Sequence, residues 1–512
     1  MDAVPTAKRA TRELPRFPLE EAAKARLKRI GVIDVGSNSV RLVVFDGMAR
    51  SPAYFYNEKV LCGLGAGLSD TGRLSREGWT RALAALHRFA ALAGRMELSG
   101  MIAVATAAVR EARDGPAFCD QVERETGLQL HVASGPEEAR LSAKGVLLGW
   151  PEADGLVCDM GGASMELARL ARGVIGECAT SPLGPLKLAD IADAGKREKA
   201  IRKHVKAVSR AVPGEVPRLF LVGGSWRAIA RLDMERTGYP LKVLHGYEPP
   251  IPRLLETLKW IEGQEQAAMS AMTGTSTQRL SLIPLASLVL AELIRRIEPE
   301  RVAFSGYGLR EGLLYRQMPE AMRVLDPLIE ACRHAEATQA RTPGFGDSLY
   351  DWLLPLYADR SARELRLVRA ACLLHDVQWR AHPDYRAEIC FESVTRANVG
   401  GIDHEERVFL GLALLNRYKT TGPNEEIGRY GALIPADRAA EAAVLGRAMR
   451  LGAMLSGSAI GVLEHATLDR SDGRLVLTLN GPARAFAGEV VERRLQSLAS
   501  RLGCVAELIL AA

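Results

Sequence analysis

The sequence predicts an α/β N-terminal half made of two related lobes facing each other across a cleft, followed by a mostly helical domain and a small α+β C-terminal domain. Three observations lead there. The stretch DVGSNSVRL at 34–42 is echoed as DMGGASMEL at 159–167, so that D-x-G-x-x-S-x-x-L recurs in the same register. Each copy follows an apolar strand and leads into another, GVIDVG into VRLVVF and GLVCDMG into MELARL. Strands and helices then alternate up to about Met318, and helical patterns dominate beyond it. A chain of 512 residues with 47% hydrophobic and 25% charged residues is long enough for several cores of ordinary globular composition.

Residues 1–28 combine Pro5, Pro15 and Pro18 with scattered Lys and Arg and read as a flexible basic arm. The first lobe, 29–152, opens on a hairpin formed by RIGVIDVG and VRLVVF. It continues with an amphipathic helix at 76–93, a strand at 100–105, a helix at 116–126, a strand at 128–133 and a helix from Pro136. The second lobe, 153–318, repeats the hairpin and adds a strand within 213–222. That strand ends in a turn at Gly223, Gly224 and Ser225 before the helical WRAIARL. A helical stretch over 252–297 follows, and RVAFSGYGLREGLLYR again reads strand, glycine turn, helix. A helical domain at 319–457 comes next. The closing domain, 458–512, contains the strand RLVLTL, a helix over 488–502 and the strand VAELIL.

No apolar run reaches the roughly 18 to 20 residues a bilayer span requires, and the first 29 residues lack the apolar core of a signal peptide. A soluble, cytoplasmic protein without a membrane partner is expected. Lys and Arg number 67 against 61 Asp and Glu, a net charge of +6. This permits a polyanionic partner, though no nucleic acid is expected. The eight cysteines form no CxxC pair and mostly sit in apolar stretches, as reduced core residues do.

A strand ending in Asp-x-Gly with a nearby Ser sets a carboxylate, a hydroxyl donor and backbone N–H groups where an oxyanion can bind, and the glycine lets the ligand approach the backbone. Two such turns in register, with the glycine turns at Gly223–Ser225 and Gly306–Gly308, make the cleft a phosphate site lined by four turns. ATAAVR at 105–110 follows a strand directly, so Arg110 can present its planar fork to a phosphate at the same edge. In SGPEEAR at 134–140, Ser134 and Glu137 form a capping box with Pro136 in the first turn, which explains Glu137. Glu138 remains, and two readings stand side by side: a general base for an attacking water, or an acidic residue favoured by the helix dipole.

GVIDVGSNSVRL, ATAAVREA, ASGPEEARLSAKGV, CDMGGASMEL, SPLGPLKL, LVGGSWRAIARL and GYGLREGLLY occur in the order and approximate spacing of the exopolyphosphatases and guanosine pentaphosphate phosphohydrolases, the Ppx/GppA phosphatase family. The resemblance covers about 30–315 densely. It implies two ribonuclease H-like lobes of the actin and sugar kinase superfamily, and Mg²⁺-dependent removal of the terminal phosphate of inorganic polyphosphate. It assigns Glu138 as the base that activates water, and Asp159 and Glu166 to the metal. Gly36, Ser37, Asn38 and Ser39 fall on the family's first phosphate loop, Gly161, Gly162 and Ser164 on its second, and Arg110 on its phosphate-contacting Arg. Gly223, Gly224 and Ser225 join them as phosphate-binding residues. Ala163 and Met165 depart from the family's DIGGGSTEL pattern, and the methyl of Ala163 is expected to restrict φ. Gly306 stands where some relatives carry Asp. Along a polymer, Lys203, Lys206, Arg210, Arg227, Arg231 and the C-terminal arginines are candidates for a basic track.

In the helical domain, LLHDV at 373–377 resembles the metal-binding doublet of HD-type phosphohydrolases, with His334, His382 and His404 nearby in sequence. Gly452 and Ala453 stand where the late Asp ligand is required, so a degenerate HD-like bundle without metal is expected, supporting a homodimer or extending the substrate channel. Guanosine pentaphosphate is the rival substrate. A catalytically silent sensor of polyphosphate or nucleotide and a sugar or acetate kinase are the readings from other classes.

Overall fold

A computed structural model describes residues 29–47, 50–275, 277–419 and 425–511, so the arm expected at 1–28 lies outside the described residues. Two units are present: residues up to Gly238 with Tyr247–Val324, and Tyr239–Gly246 with Leu325–Ala512.

In the first unit, the apolar run before the first Asp-x-Gly becomes β1 (Ile30–Val35), which pairs antiparallel with β2 (Ser39–Phe45) and sets Asp34 opposite Arg41. Adding β3 (Tyr54–Leu61), β4 (Gly100–Ala105) and β5 (Leu130–Val132) gives a sheet of order β3-β2-β1-β4-β5. The second sheet contains β6 (Gly155–Met160), β7 (Met165–Ala171), β8 (Val174–Ser181), β9 (Arg218–Val222) and β10 (Arg301–Phe304). Its order, β8-β7-β6-β9-β10, matches the first strand for strand. In both, the first strand is central, followed by two antiparallel neighbours on one side and two parallel ones on the other. The sequence echo is thus a structural repeat. The outer strands β3 and β8 escape an apolar search because they lie at sheet edges and much of their length faces solvent.

Helices Arg76–Ala93 and Gly115–Thr126 cover one face of the first sheet, with Trp79 and Phe118 meeting edge-on at 5.0 Å. Its other face takes a helix from the far end of the unit. Helix Leu309–Gln317 packs Leu309, Leu313 and Leu314 with Val32, Phe45 and Val104. Helix Gly135–Gly149 in turn lays Ala139, Ala143, Val146 and Leu147 against Val157, Ala168 and Phe220 of the second sheet. The linear boundaries 29–152 and 153–318 are therefore crossed, and the unit runs on to Val324. Glycines allow the two helices to touch: a Cβ on Gly312 would stand 1.8 Å from Leu141 O, and one on Gly145 2.1 Å from Gly308 O.

In the second unit, helices Pro327–Gln339, Phe345–Leu353, Ala362–Leu374, Arg386–Thr395, His404–Tyr418 and Ala436–Ser456 pack around one core. β11 (Ala466–Ser471), β12 (Arg474–Leu479), β13 (Val505–Leu510) and helix Glu489–Leu502 complete it. Leu468, Leu475, Leu477, Leu495 and Leu498 belong to that same core, and Trp352 Nε1 donates to Ala466 O at 3.0 Å. The closing segment, expected as a domain of its own, thus shares one core with the helical segment. Among the described residues no helix is long and apolar enough to cross a membrane.

Candidate active site

The two Asp-x-Gly turns have the same local construction: Gly36 N–H donates to Ser39 O, and Gly161 N–H to Ser164 O, both at 3.0 Å. They meet in space, since a Cβ on Gly162 would stand 3.4 Å from Ser37 Cβ. The carbonyl of Asn38 accepts from Cys62 N and Gly63 N, which ties the first turn to the segment after β3. Leu186 N–H holds the carbonyl of Gly162, so the SPLGPLKL segment backs the second turn. Ala163 is not among the residues with positive φ; its methyl asks for no strained backbone, contrary to the restriction expected of it.

Helix Gly135–Gly149 starts where Ser134 Oγ accepts from Glu137 N. Only that half of the expected capping box forms, because the Glu137 carboxylate meets His131 at 3.0 Å and Arg316 at 3.7 Å. One residue on, Glu138 is 6% exposed and lies 3.0 Å from Arg110 Nη1, which also donates to Ala133 O at 2.7 Å. Burial and then the charge of Asp159 push Glu138 up to about 7, against the opposing pull of Arg110.

Asp159, the last residue but one of β6, stands opposite Glu166 on β7. Ser142 Oγ, one helical turn beyond Glu138, donates to Asp159 Oδ2. Burial raises Asp159 to about 6, with Ser142 and Arg227 acting in the other direction. Glu166 Oε1 accepts from Thr180 Oγ1 at 3.0 Å, its buried Oε2 makes no close hydrogen bond among the described residues, and the Ser164 hydroxyl acts against the rise of this carboxyl. Burial and the charge of Glu138 raise Glu166 well above the usual range.

Gly223, at φ 118°, closes the site beside Asp159. A Cβ there would stand 2.6 Å from Met160 O and 3.0 Å from Asp159 Oδ1. Gly224 and Ser225 follow in the more open first turn of helix Gly224–Arg236. In the turn at Gly306–Gly308, Gly308 N–H is bonded to Glu311 Oε2 at 2.7 Å, so that expected donor is already taken.

Sequence reasoning named Arg110 and Arg227 but left Arg41 and Arg310 of this site unassigned. Arg310 lies 3.5 Å from Asp34, and Glu311 accepts from Tyr54 OH at 3.0 Å. Burial and then the neighbouring Arg310 and Arg227 bring Arg41 down to about 10, and Arg227 is lowered by burial and Arg310. Such crowding of partly desolvated guanidinium groups is relieved by a polyanion. The LREG stretch within GYGLREGLLY was the available signal for Arg310. Of the proposed basic track, Arg227 lies in this site, whereas Lys203, Lys206, Arg210 and Arg231 are exposed.

Among the described residues, no three His, Cys, Asp or Glu side chains are grouped to hold a metal ion by themselves. Asp159 and Glu166 do suit a hard cation that takes one or two carboxylates and completes its shell with substrate phosphates, and the bare Glu166 Oε2 is an available oxygen. In the second unit, Asp376 commits both oxygens to Arg341 at 2.6 and 2.7 Å, and His375 Nδ1 lies 2.8 Å from Cys372 O. His404 Nδ1 lies 2.8 Å from Tyr239 OH, and His334 and His382 are exposed.

Residues 43–321 match the model of the Ppx/GppA phosphatase family, and 328–509 match the model described as exopolyphosphatase, C-terminal. The chain belongs to the Ppx/GppA phosphatase family. As a member it is an enzyme that hydrolyses phosphoanhydride bonds. It is 29% identical to exopolyphosphatase 1 of Mycobacterium tuberculosis, over 57% of this chain and 88% of the relative. Over 87% of this chain and 91% of the relative, it is 24% identical to a guanosine-5'-triphosphate,3'-diphosphate pyrophosphatase of Aeromonas hydrophila. A solved exopolyphosphatase from Cytophaga hutchinsonii shares the fold at a TM-score of 0.51 and 24% identity, covering 56% of this chain and 97% of that one. The Ppx/GppA structure from Aquifex aeolicus does so at 0.50 and 23%, covering 57% and 97%.

Proposed function

We propose that this Ppx/GppA phosphatase is an exopolyphosphatase that releases the terminal phosphate of inorganic polyphosphate by in-line attack of a water activated by Glu138. The observation that carries the reading is a buried carboxylate raised to about 7, held by Arg110 beside the meeting turns Gly36–Ser39 and Gly161–Ser164. A base with that affinity is about half ionised at neutral pH and well matched to taking a proton there.

Glu138 accepts the proton of the water. Arg110, together with the N–H groups and hydroxyls of the two turns, faces the equatorial oxygens of the terminal phosphate, where charge spreads as the bond breaks. Arg41, Arg227 and Arg310 bind the next phosphates and balance the carboxylates around them. Asp159 and Glu166 are the residues to hold Mg²⁺, which when bound supplies positive charge against the leaving phosphate.

A polymer is favoured by the second unit. Arg447, Arg450, Arg494 and Arg501 have no carboxylate partner among the described residues, and burial with the charges of Arg494, Arg417 and Arg447 brings Arg450 down to about 10. Arginines without a carboxylate counter-ion suit successive phosphates of a long chain more than one nucleotide. Guanosine pentaphosphate is the second reading, favoured by the relative that aligns along most of the chain. Orthophosphate release from long-chain polyphosphate and from guanosine pentaphosphate, at matched terminal phosphate and with Mg²⁺, tests both. Faster release from the polymer is expected; faster release from the nucleotide reverses the assignment, and release from neither sinks the catalytic reading.

A further inference from the structure

Ser142 lies outside every role described so far. It is fully buried, one turn along the helix from Glu138 and on the same face, and its hydroxyl donates to Asp159 Oδ2. On the other side of that carboxylate, Asp159 Oδ1 is turned toward Gly223, whose missing Cβ leaves the approach open. The carboxylate is thus clamped in one orientation: Oδ2 is occupied from the helix, and Oδ1 faces the glycine turn. Asp159 itself is paired into β6 between β7 and β9, which fixes the point on the backbone from which the carboxylate reaches Ser142.

We infer that Ser142 makes Asp159 a one-oxygen donor and so sets which divalent cation the site accepts. The inference rests on the reading of Asp159 as a metal-holding residue. Mg²⁺ requires near-octahedral geometry with short, single-oxygen bonds, whereas Ca²⁺ accepts more ligands and takes carboxylates through both oxygens. A hydrogen bond on Oδ2 fixes the carboxylate for the first kind of bonding and opposes the second. Partners that orient a ligand commonly change metal affinity by roughly 10- to 100-fold when removed. Ser142 is accordingly a positioning residue: it touches Asp159, not the substrate.

The test is direct calorimetric titration of Mg²⁺ and Ca²⁺ into the full-length protein, free of substrate, as wild type, Ser142→Ala, Ser142→Cys and Asp159→Asn. Circular dichroism and the unfolding temperature serve as folding controls. Both Ser142 variants lose the strong donor, but only alanine opens a space. The expected result is that Asp159→Asn weakens Mg²⁺ binding, and that both Ser142 variants lose about 10-fold in Mg²⁺ affinity while Ca²⁺ changes little, so the preference for Mg²⁺ falls several-fold. An unchanged Mg²⁺-to-Ca²⁺ preference in the Ser142 variants, with Asp159→Asn still impaired, overturns the role of Ser142 and leaves Asp159 as a ligand. A shift in Ser142→Ala alone assigns the effect to packing and likewise overturns it. Wild-type Mg²⁺ binding in Asp159→Asn removes the metal reading and this inference with it.

Discussion

Arg110 Nη1 holds Glu138 Oε2 at 3.0 Å while the same nitrogen is tied at 2.7 Å to the carbonyl of Ala133, just before the helix that carries Glu138. The arginine comes from the short helix after β4, and the glutamate from the helix that crosses to the second sheet. This contact opposes the burial that raises the carboxylate, leaving Glu138 at about 7.

If Glu138 is the base, activity is present while it is ionised and is lost as pH falls through about 7. The pH profile of kcat/KM should therefore show an acidic limb near that value. Arg110 lowers the Glu138 pKa, so Arg110→Ala should move the limb upward by roughly one unit besides reducing the rate. An unmoved limb would assign the titration to another group.

Replacing Glu138 by Gln should cost roughly 10²- to 10⁴-fold in phosphate release. The same change should stabilise the fold at pH 8. A carboxylate whose folded pKa is raised from 4.5 to about 7 destabilises the folded state progressively as pH rises through that window, and a neutral amide does not. The gain, on the order of 1–3 kcal/mol, should be visible as a higher unfolding temperature at pH 8 and should vanish near pH 4. Equal unfolding temperatures at pH 8 would contradict the burial argument.

Gly223→Ala should be severe and Gly224→Ala mild. At Gly223 a methyl meets Met160 O at 2.6 Å and Asp159 Oδ1 at 3.0 Å on a backbone of φ 118°, whereas at Gly224 it meets nothing within 4 Å. Loss of about 1–3 kcal/mol of stability is expected for the first and less than about 1 for the second, read from chemical denaturation. Comparable losses would show that Gly223 is not under steric demand.

Arg450→Ala combined with Arg494→Ala should raise KM for long-chain polyphosphate several-fold, weaken its salt dependence and leave short-chain hydrolysis unchanged, since these arginines lack acidic partners and are proposed to bind the polymer. Steady-state kinetics across chain lengths and ionic strengths would check this. An equal effect on the shortest chains would place them in the cleavage step.

Much of this enzyme is written locally. The echoed D-x-G-x-x-S-x-x-L, its flanking apolar strands and the helix at Arg76–Ala93 depend on neighbours a few residues away, and each appears where periodicity and turn chemistry put it. Ser134 and Pro136 mark a helix start that explains Glu137, whereas Glu138 kept two local readings, helix dipole or base, and only the resemblance to the family chose between them. Other features were decided only by chain segments distant in sequence. The solvent-facing edge strands β3 and β8 lack an apolar run to announce them. The exchange of helices between sheets follows from glycine contacts such as Gly312 with Leu141, which no single segment encodes. Whether a polar residue is paired or available is likewise a tertiary matter. Glu311 turns the Gly306–Gly308 turn into a helix cap, Arg341 takes the Asp376 carboxylate, and Ser142 reaches Asp159, because burial obliges each polar group to find a partner wherever the fold supplies one.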